Sequence, residues 1–306
     1  AVTPAGEILA EWREATRGES NEELSSQLQE VLSRLMEMST VRPEEVAGVG
    51  VAIPGRVDAQ ANKAIGCSNL GFRNLDVNEV VKAITPAPVA LANDGNAGAL
   101  GEKWFGAGKG IDNFCYICVG TGVGGGLVLD GRLYMGETGR AGEVGHVVVD
   151  PRGPRCRCGT VGCLEAMVSG VGLPILAERL LGEAEVRKLG RGAQEGDGGG
   201  RLPTAQEIYR AAAAGNAAAQ RVIEEAGLLH AATVVSLLRI LDLRRIIYGG
   251  GITAAGALFI QAVYQGLKEL GYRITQPDIV LSPLGEKAGV WGAAAVIGER
   301  LQSMKA

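Results

Sequence analysis

Phe114-Cys115-Tyr116-Ile117-Cys118-Val119-Gly120-Thr121-Gly122-Val123-Gly124-Gly125-Gly126-Leu127-Val128-Leu129 reads as a strand, a glycine turn and a second strand. Backbone N–H groups in such a turn can point at phosphate oxygens, and glycine lets the backbone come close. The stretch is not a Walker loop, because no Gly-Lys-Ser/Thr follows. It is not a dinucleotide fingerprint either, because a strand follows where a helix should. The remaining readings are a phosphate-gripping hairpin and a plain glycine-rich hairpin. Asp130-Gly131, directly after it, is a strong hairpin turn.

On both sides of this stretch, strands alternate with helices. Leu24, Leu28, Val31, Leu32 and Leu35 give a helix over 21–38, with Asn21 placed to cap it. Strands are expected at 7–12, 46–53 and 88–92, and a helix over 95–104. Thr204-Ala205-Gln206-Glu207 is a capping box opening a helix. A long helix follows over 217–241, then a strand at 245–248 entering Gly249-Gly250-Gly251, a further helix, a strand at 279–281 and a last helix over 288–304. Six glycines between Arg187 and Arg201 mark a surface loop. The alternation makes the chain α/β.

The chain has 306 residues, 46% hydrophobic and 21% charged, which is an ordinary globular composition and long enough for about two domains. No apolar run reaches the ~20 residues that span a bilayer. Ala1-Val2-Thr3-Pro4 has neither the basic nor the apolar part of a secretory signal. A net charge of −4 gives a nucleic-acid surface no support. The six cysteines, three of them within eight residues, fit a reducing cytoplasm better than a disulfide framework.

The strongest local signal is His146…Cys156-Arg157-Cys158-Gly159-Thr160-Val161-Gly162-Cys163. Nine residues separate the histidine from the first cysteine, one the next pair and four the last. Three thiolates and one imidazole make a closed tetrahedral zinc site, which is structural and does not activate water. A disulfide or free core cysteines are the alternatives, although Cys156 and Cys158 are poorly placed to bridge each other. Glu143 and Glu165 are tied to this loop, either as solvated charges or as rigidly held ligands for hydroxyls. Asp94 follows an apolar strand and precedes a helix, where it either serves catalysis at a strand's carboxyl end or caps the helix. Gly249-Gly250-Gly251 is a place for close ligand approach or for helix–strand packing. His230, in the long apolar helix, reads as structural.

Taken in order, Ala92-Asn93-Asp94-Gly95-Asn96-Ala97, Gly120 to Gly126, Gly142-Glu143-Val144-Gly145-His146 and Cys156 to Glu165 resemble the motifs of the ROK family, which groups sugar kinases with sugar-responsive repressors. The match runs from about Gly48 to the last helix. Leu100-Gly101-Glu102-Lys103-Trp104-Phe105-Gly106-Ala107-Gly108 looks especially like the ATP-dependent glucokinases.

The resemblance implies an actin-like (ribonuclease H-like) fold of two α/β domains with a structural zinc loop. Residues 1–94 would form the small domain, completed by the helix over 292–306, and 95–291 the large one. It implies ATP-dependent phosphorylation of glucose to glucose 6-phosphate, with Asp94 as general base and magnesium accompanying ATP. Asn69, Asn93, Asp94, Glu143, His146 and Glu165 would match the sugar ligands, and His146 would use its other nitrogen on zinc. Gly120, Thr121 and Gly122 would meet the ATP phosphates, and Gly249, Gly250 and Gly251 the adenosine. His146, Cys156, Cys158 and Cys163 would hold the metal. A homodimer or homotetramer without nucleic-acid or membrane partners is implied. Another hexose or N-acetylmannosamine as acceptor, or the sugar-sensing part of a repressor, are the competing readings. Family members begin with an Asp-x-Gly-Gly-Thr hairpin that is not in this sequence. A preceding segment of about twenty residues, two strands and a turn, is therefore expected.

Overall fold

The computed structural model describes residues 1–67, 70–190, 201–273 and 277–304. Among the described residues the strands are, in order, β1 (Val49–Ile53), β2 (Arg56–Asp58), β3 (Lys63–Gly66), β4 (Arg73–Asp76), β5 (Val89–Asn93), β6 (Phe114–Val119), β7 (Val123–Leu129), β8 (Arg132–Leu133), β9 (Arg245–Gly249) and β10 (Asp278–Leu281). The helices are α1 (Asn21–Ser39), α2 (Val77–Lys82), α3 (Asp94–Phe105), α4 (Glu165–Val168), α5 (Gly172–Leu181), α6 (Glu183–Arg187), α7 (Ala205–Ala213), α8 (Ala217–Leu241), α9 (Gly256–Glu269) and α10 (Ala288–Ser303).

Three sheets result. β1 and β5 pair in parallel, β2, β3 and β4 form an antiparallel meander, and the largest sheet has the order β10-β9-β6-β7-β8. In that sheet β10, β9 and β6 are parallel and β7 and β8 antiparallel. The hairpin from β6 through the glycine turn to β7 is as expected, and Asp130 and Gly131 take the positive φ values of 50° and 69° that their turn needs.

The large sheet is buried on both faces, with the period of two that strands impose. Cys115, Ile117 and Val119 of β6 join Leu164, Met167, Leu173, Ile223, Tyr248 and Phe259 in one core. Phe114 and Tyr116 face the other way and pack with Ala99, Val128, Ile247 and Ala288. A separate core around β1, β2 to β5 and α1 contains Val49, Phe72, Leu75, Val77 and Leu91. His230 is structural, as expected. Its Nδ1 lies 3.3 Å from the Tyr248 hydroxyl, its ring meets Tyr248 and Phe259 edge-on, and burial pushes its pKa down to about 3.

Four local readings change. Residues 7–12 form no strand; the segment turns back on residues 1–3 through one bridge, Val2 to Ile8, with Leu9 N donating to Ala1 O at 2.9 Å, while Ile8 and Leu9 stay exposed. Ser20, not Asn21, caps α1, accepting from Glu23 N at 3.2 Å, while the Asn21 amide is spent on the backbone of Arg73. α3 begins at Asp94 with Asn93 as its cap. Gly249 leads into a 3-10 turn over 250–255 before α9 begins. The Thr204 box forms as expected, and residues 191–200 of the glycine-rich loop lie outside the described residues.

α10 is the element that crosses between the sheets. It packs on α3, β1 and β5. Glycine makes the approach possible: a Cβ added at Gly292 would lie 1.9 Å from the Ala97 carbonyl oxygen, and one at Gly50 1.8 Å from that of Ala293. Backbone cannot move aside as a side chain does. Gly292→Ala is therefore expected to destabilise by about 3 kcal/mol. Gly298→Ala, on the same helix with open space around it, should be neutral or gain up to ~1 kcal/mol. Urea unfolding of both variants checks this, and equal stabilities would contradict the packing described.

Candidate functional site

β5 is apolar and buried until Asn93, and its carboxyl end delivers Asn93 and Asp94 to the start of α3. The Asn93 side chain caps the helix, accepting from Gly95 N at 2.9 Å and Asn96 N at 3.3 Å, and donates to the Gly55 carbonyl at 3.0 Å. The cap reading of Asp94 is thus taken by its neighbour. The Asp94 carboxylate accepts from Gly95 N at 2.9 Å, keeps surface in water and is crowded by protein. Burial pushes its pKa up, against the hydrogen bonds from Gly95, its own backbone and Asn93.

The other parts converge on β7. A Cβ at Gly95 would lie 2.4 Å from the Gly125 carbonyl oxygen, so the first turn of α3 rests on bare backbone. Gly145 is pressed against the carbonyl of Val123 at 2.0 Å, and Gly125 against Val144 at 2.5 Å, measured in the same way. That places the Glu143 to His146 turn beside α3. Glu165, the first residue of α4, accepts from Val123 N at 2.9 Å with Oε2. Its Oε1 lies 3.6 Å from Cys156 Sγ, so the one carboxylate joins the cysteine loop to the glycine turn.

That turn is closed by a bond from Gly120 N to Gly122 O at 2.9 Å and braced by Gly170 N to Gly120 O at 2.7 Å. Gly120 and Gly124 face open space, and Thr121 is exposed. Gly122 has no room for a side chain, since its Cβ would meet Glu165 Oε2 at 2.5 Å. At the second glycine run the two readings divide by residue. Gly249 is held by the Tyr116 hydroxyl and Gly250, at φ 78°, by Val119 and Cys118. Gly251 is the open one.

The ligand atoms of His146, Cys156, Cys158 and Cys163 all lie within 4.8 Å of one another. Cys158 and Cys163 sulfurs are 3.6 Å apart, and Cys156 Sγ is 3.8 Å from His146 Nδ1. A tetrahedral zinc with bonds near 2.3 Å needs donors about 3.8 Å apart, so the set fits zinc. The loop is shaped for it by a Cys156 N to Thr160 O bond at 2.8 Å and by Gly162 at φ 78°, whose Cβ would sit 1.7 Å from the Asp150 carbonyl. Burial pushes the Cys163 thiol up to about 12. It acts on Cys158 too, but hydrogen bonds from Thr160 bring that thiol down to about 7. Three thiols this close hold charge together only around a cation. His146 turns Nδ1 to Cys156 and Nε2 to Glu143, whose Oε2 is 4.0 Å away.

Asn69, expected in the site, lies outside the described residues. Two residues went unremarked in the sequence. Cys118 lies under Gly250 and close enough to Asp94 to feel its charge. Its parity with Tyr116 on β6 was the available signal. Asn96 is buried with no partner for Oδ1 among the described residues, and its Nδ2 is 3.5 Å from Met135 Sδ. Nothing in a lone sequence marks it.

A model of the ROK family matches residues 1–300. A glucokinase of Halalkalibacterium halodurans is 30% identical, over 99% of this chain and 92% of its own. A xylose repressor of Caldicellulosiruptor bescii is 28% identical, over 95% of this chain and 72% of its own. A crystal structure of a glucokinase from Streptomyces griseus, in complex with glucose and AMPPNP, superposes with a TM-score of 0.79 at 29% identity, covering 96% of this chain and 93% of its own.

The purified protein is expected to carry one zinc per chain. Cys158→Ser should release it and lower the melting temperature, because metal binding and local folding are linked. Metal analysis finding well under one zinc per chain contradicts the site.

Proposed function

The chain belongs to the ROK family, and from that premise we propose that it is an ATP-dependent hexokinase that phosphorylates glucose at the 6-hydroxyl. The observation that carries the reading is Asp94. A carboxylate with a raised pKa stands at the carboxyl end of a parallel strand pair, backed by the same β7 backbone that leads from an open glycine turn. A domain division at residues 94 and 95, as the family resemblance implies, would put the reaction between the two halves.

Phosphoryl transfer asks for positioning and charge stabilisation more than for covalent help. Asn69, Asn93, Glu143, His146 and Glu165 grip the sugar's other hydroxyls and fix the 6-oxygen in line with the γ-phosphate. Asp94 takes the 6-hydroxyl proton as that oxygen attacks phosphorus and the bond to the departing ADP breaks. The N–H groups of Gly120, Thr121 and Gly122 hold the phosphates of ATP, which arrives with magnesium. The open side of Gly251, beside Gly249 and Gly250, receives the nucleoside. Zinc in the cysteine loop supplies rigidity, and through that loop Glu165 and His146 are kept in place.

A second reading is a sugar-sensing part of a repressor. The match to a xylose repressor supports it. A repressor has no need of a base with a raised pKa, which favours the kinase.

In the full-length protein, Asp94→Asn is expected to cut kcat by 10²–10⁴ while glucose still binds. A kcat within about tenfold of wild type rules Asp94 out. Only the ionised carboxylate accepts the proton. kcat/KM should therefore fall as pH drops through the Asp94 pKa, and that fall should come at higher pH than for an ordinary aspartate. Across a sugar panel glucose should show the highest kcat/KM, because unpaired buried polar groups penalise a mismatched sugar. A higher value for fructose or N-acetylmannosamine overturns the acceptor, and sugar binding without any turnover supports the repressor reading.

A further inference from the structure

Asp94, Gly98 and Glu102 stand one and two turns apart on the same face of α3. The middle position is empty so that Tyr116 can pass under it; a Cβ at Gly98 would lie 2.3 Å from Tyr116 Cε1. The Tyr116 hydroxyl reaches Gly249 at the end of β9, where a Cβ would lie 2.4 Å away. The helix that carries Asp94 is therefore seated, through one buried ring, on the strand that leads into the Gly249 to Gly251 run.

Glu102 is fully buried. No cation pairs with it among the described residues. Its Oε2 accepts from Ala107 N at 2.8 Å, and its Oε1 from the Ser282 hydroxyl. Ser282 follows β10. Its oxygen accepts from Leu284 N at 3.1 Å and Gly285 N at 3.0 Å, and its own N–H donates to Tyr248 O at 2.7 Å. The turn it shapes leads into α10, which lies on α3. A buried carboxyl held only by neutral donors is a costly way to join two segments. What it provides is direction: one oxygen is fixed by the turn that ends α3 and the other by Ser282, 180 positions on, so α3 cannot slide or turn without breaking the Ser282 bond.

We propose that Glu102 is a positioning residue, which through Ser282 sets where α3 holds Asp94 relative to β9 and its glycines. The proposal rests on the kinase reading for its effect on turnover. Glu102 lies about 12 Å along a rigid helix from Asp94, at 1.5 Å per residue. A shift of ~1 Å at one end is delivered to the other, and such a shift can cost ~10²-fold in rate. Burial pushes the Glu102 carboxyl up, with the Ser282 and Ala107 bonds opposing, in keeping with a group held by shape more than by charge.

The test uses Ser282→Ala, which removes the hydroxyl, and Ser282→Thr, which keeps it, in the full-length protein. Two readouts are taken: amide exchange at Ala97 to Leu100 by mass spectrometry or NMR, and steady-state kinetics with glucose and ATP. Ser282→Ala should exchange these amides about tenfold faster and lower kcat by ~10–100-fold with the glucose KM nearly unchanged, and Ser282→Thr should restore both. Wild-type exchange in Ser282→Ala overturns the proposal. So does a loss of kcat, KM and melting temperature together that Thr does not rescue, since that is a structural role alone. If Ser282→Ala does not fold, Glu102→Gln takes its place: faster exchange with lowered kcat supports the proposal, and wild-type exchange overturns it. Accelerated exchange in a protein whose wild type phosphorylates no hexose upholds the link and discards the kinase reading.

Discussion

β7 has no side chains at Gly125 and Gly126, and the site depends on that bare backbone. The first turn of α3 rests on Gly125, Ala99 on Gly126, and the turns at Gly142 and Gly145 on the same strand from the other direction. A Cβ at Gly125 would lie 2.5 Å from Val144 and one at Gly126 2.7 Å from Ala99, so side chains there would overlap the elements that dock on the strand. The contacts involve main-chain atoms on at least one side, so they fix distance more firmly than packed side chains do. Asp94, the Glu143 and His146 pair, and Glu165 come from three separate segments, and they share a neighbourhood because each segment docks on one strand.

The cysteine loop holds the same neighbourhood from outside. Its donors are spaced for a tetrahedral metal, and the loop between them is shaped by main-chain bonds and by Gly162. Glu165 carries this order inward, since one oxygen touches Cys156 and the other takes the N–H of Val123. His146 does so as well, with one ring nitrogen toward the sulfurs and the other toward Glu143. A metal that never meets substrate would in this way stiffen groups that do.

Much of this is legible in the sequence, and the exceptions have physical causes. The β6–β7 hairpin, α8 and the capping box at Thr204 rest on local rules and match the sequence to within a residue or two. The metal set is legible because ligand spacing is itself the signal. Residues 7–12 pair with residues 1–3 through a single bridge, which is too short to make a strand. Gly249, Gly250 and Gly251 look alike in sequence; the Tyr116 ring and the Cys118 sulfur, which separate them, arrive from a strand far away along the chain. Asn93 and Asp94 raise the same difficulty. Either can cap a helix, and the structure gives the cap to Asn93, which frees Asp94. Glu102 carries the least warning, since nothing local says that a glutamate in a helix is buried against a serine 180 positions on.

The proposed placement of Asp94 against the acceptor hydroxyl is what the kinase reading turns on. It is tested most directly by a crystal structure of the full-length protein with glucose and a non-hydrolysable ATP analogue. The account predicts an Asp94 carboxylate oxygen about 2.6–3.2 Å from the 6-hydroxyl oxygen, with the γ-phosphate on that oxygen's far side. Glucose bound with its 6-hydroxyl out of reach of Asp94, or bound elsewhere on the chain, would contradict it.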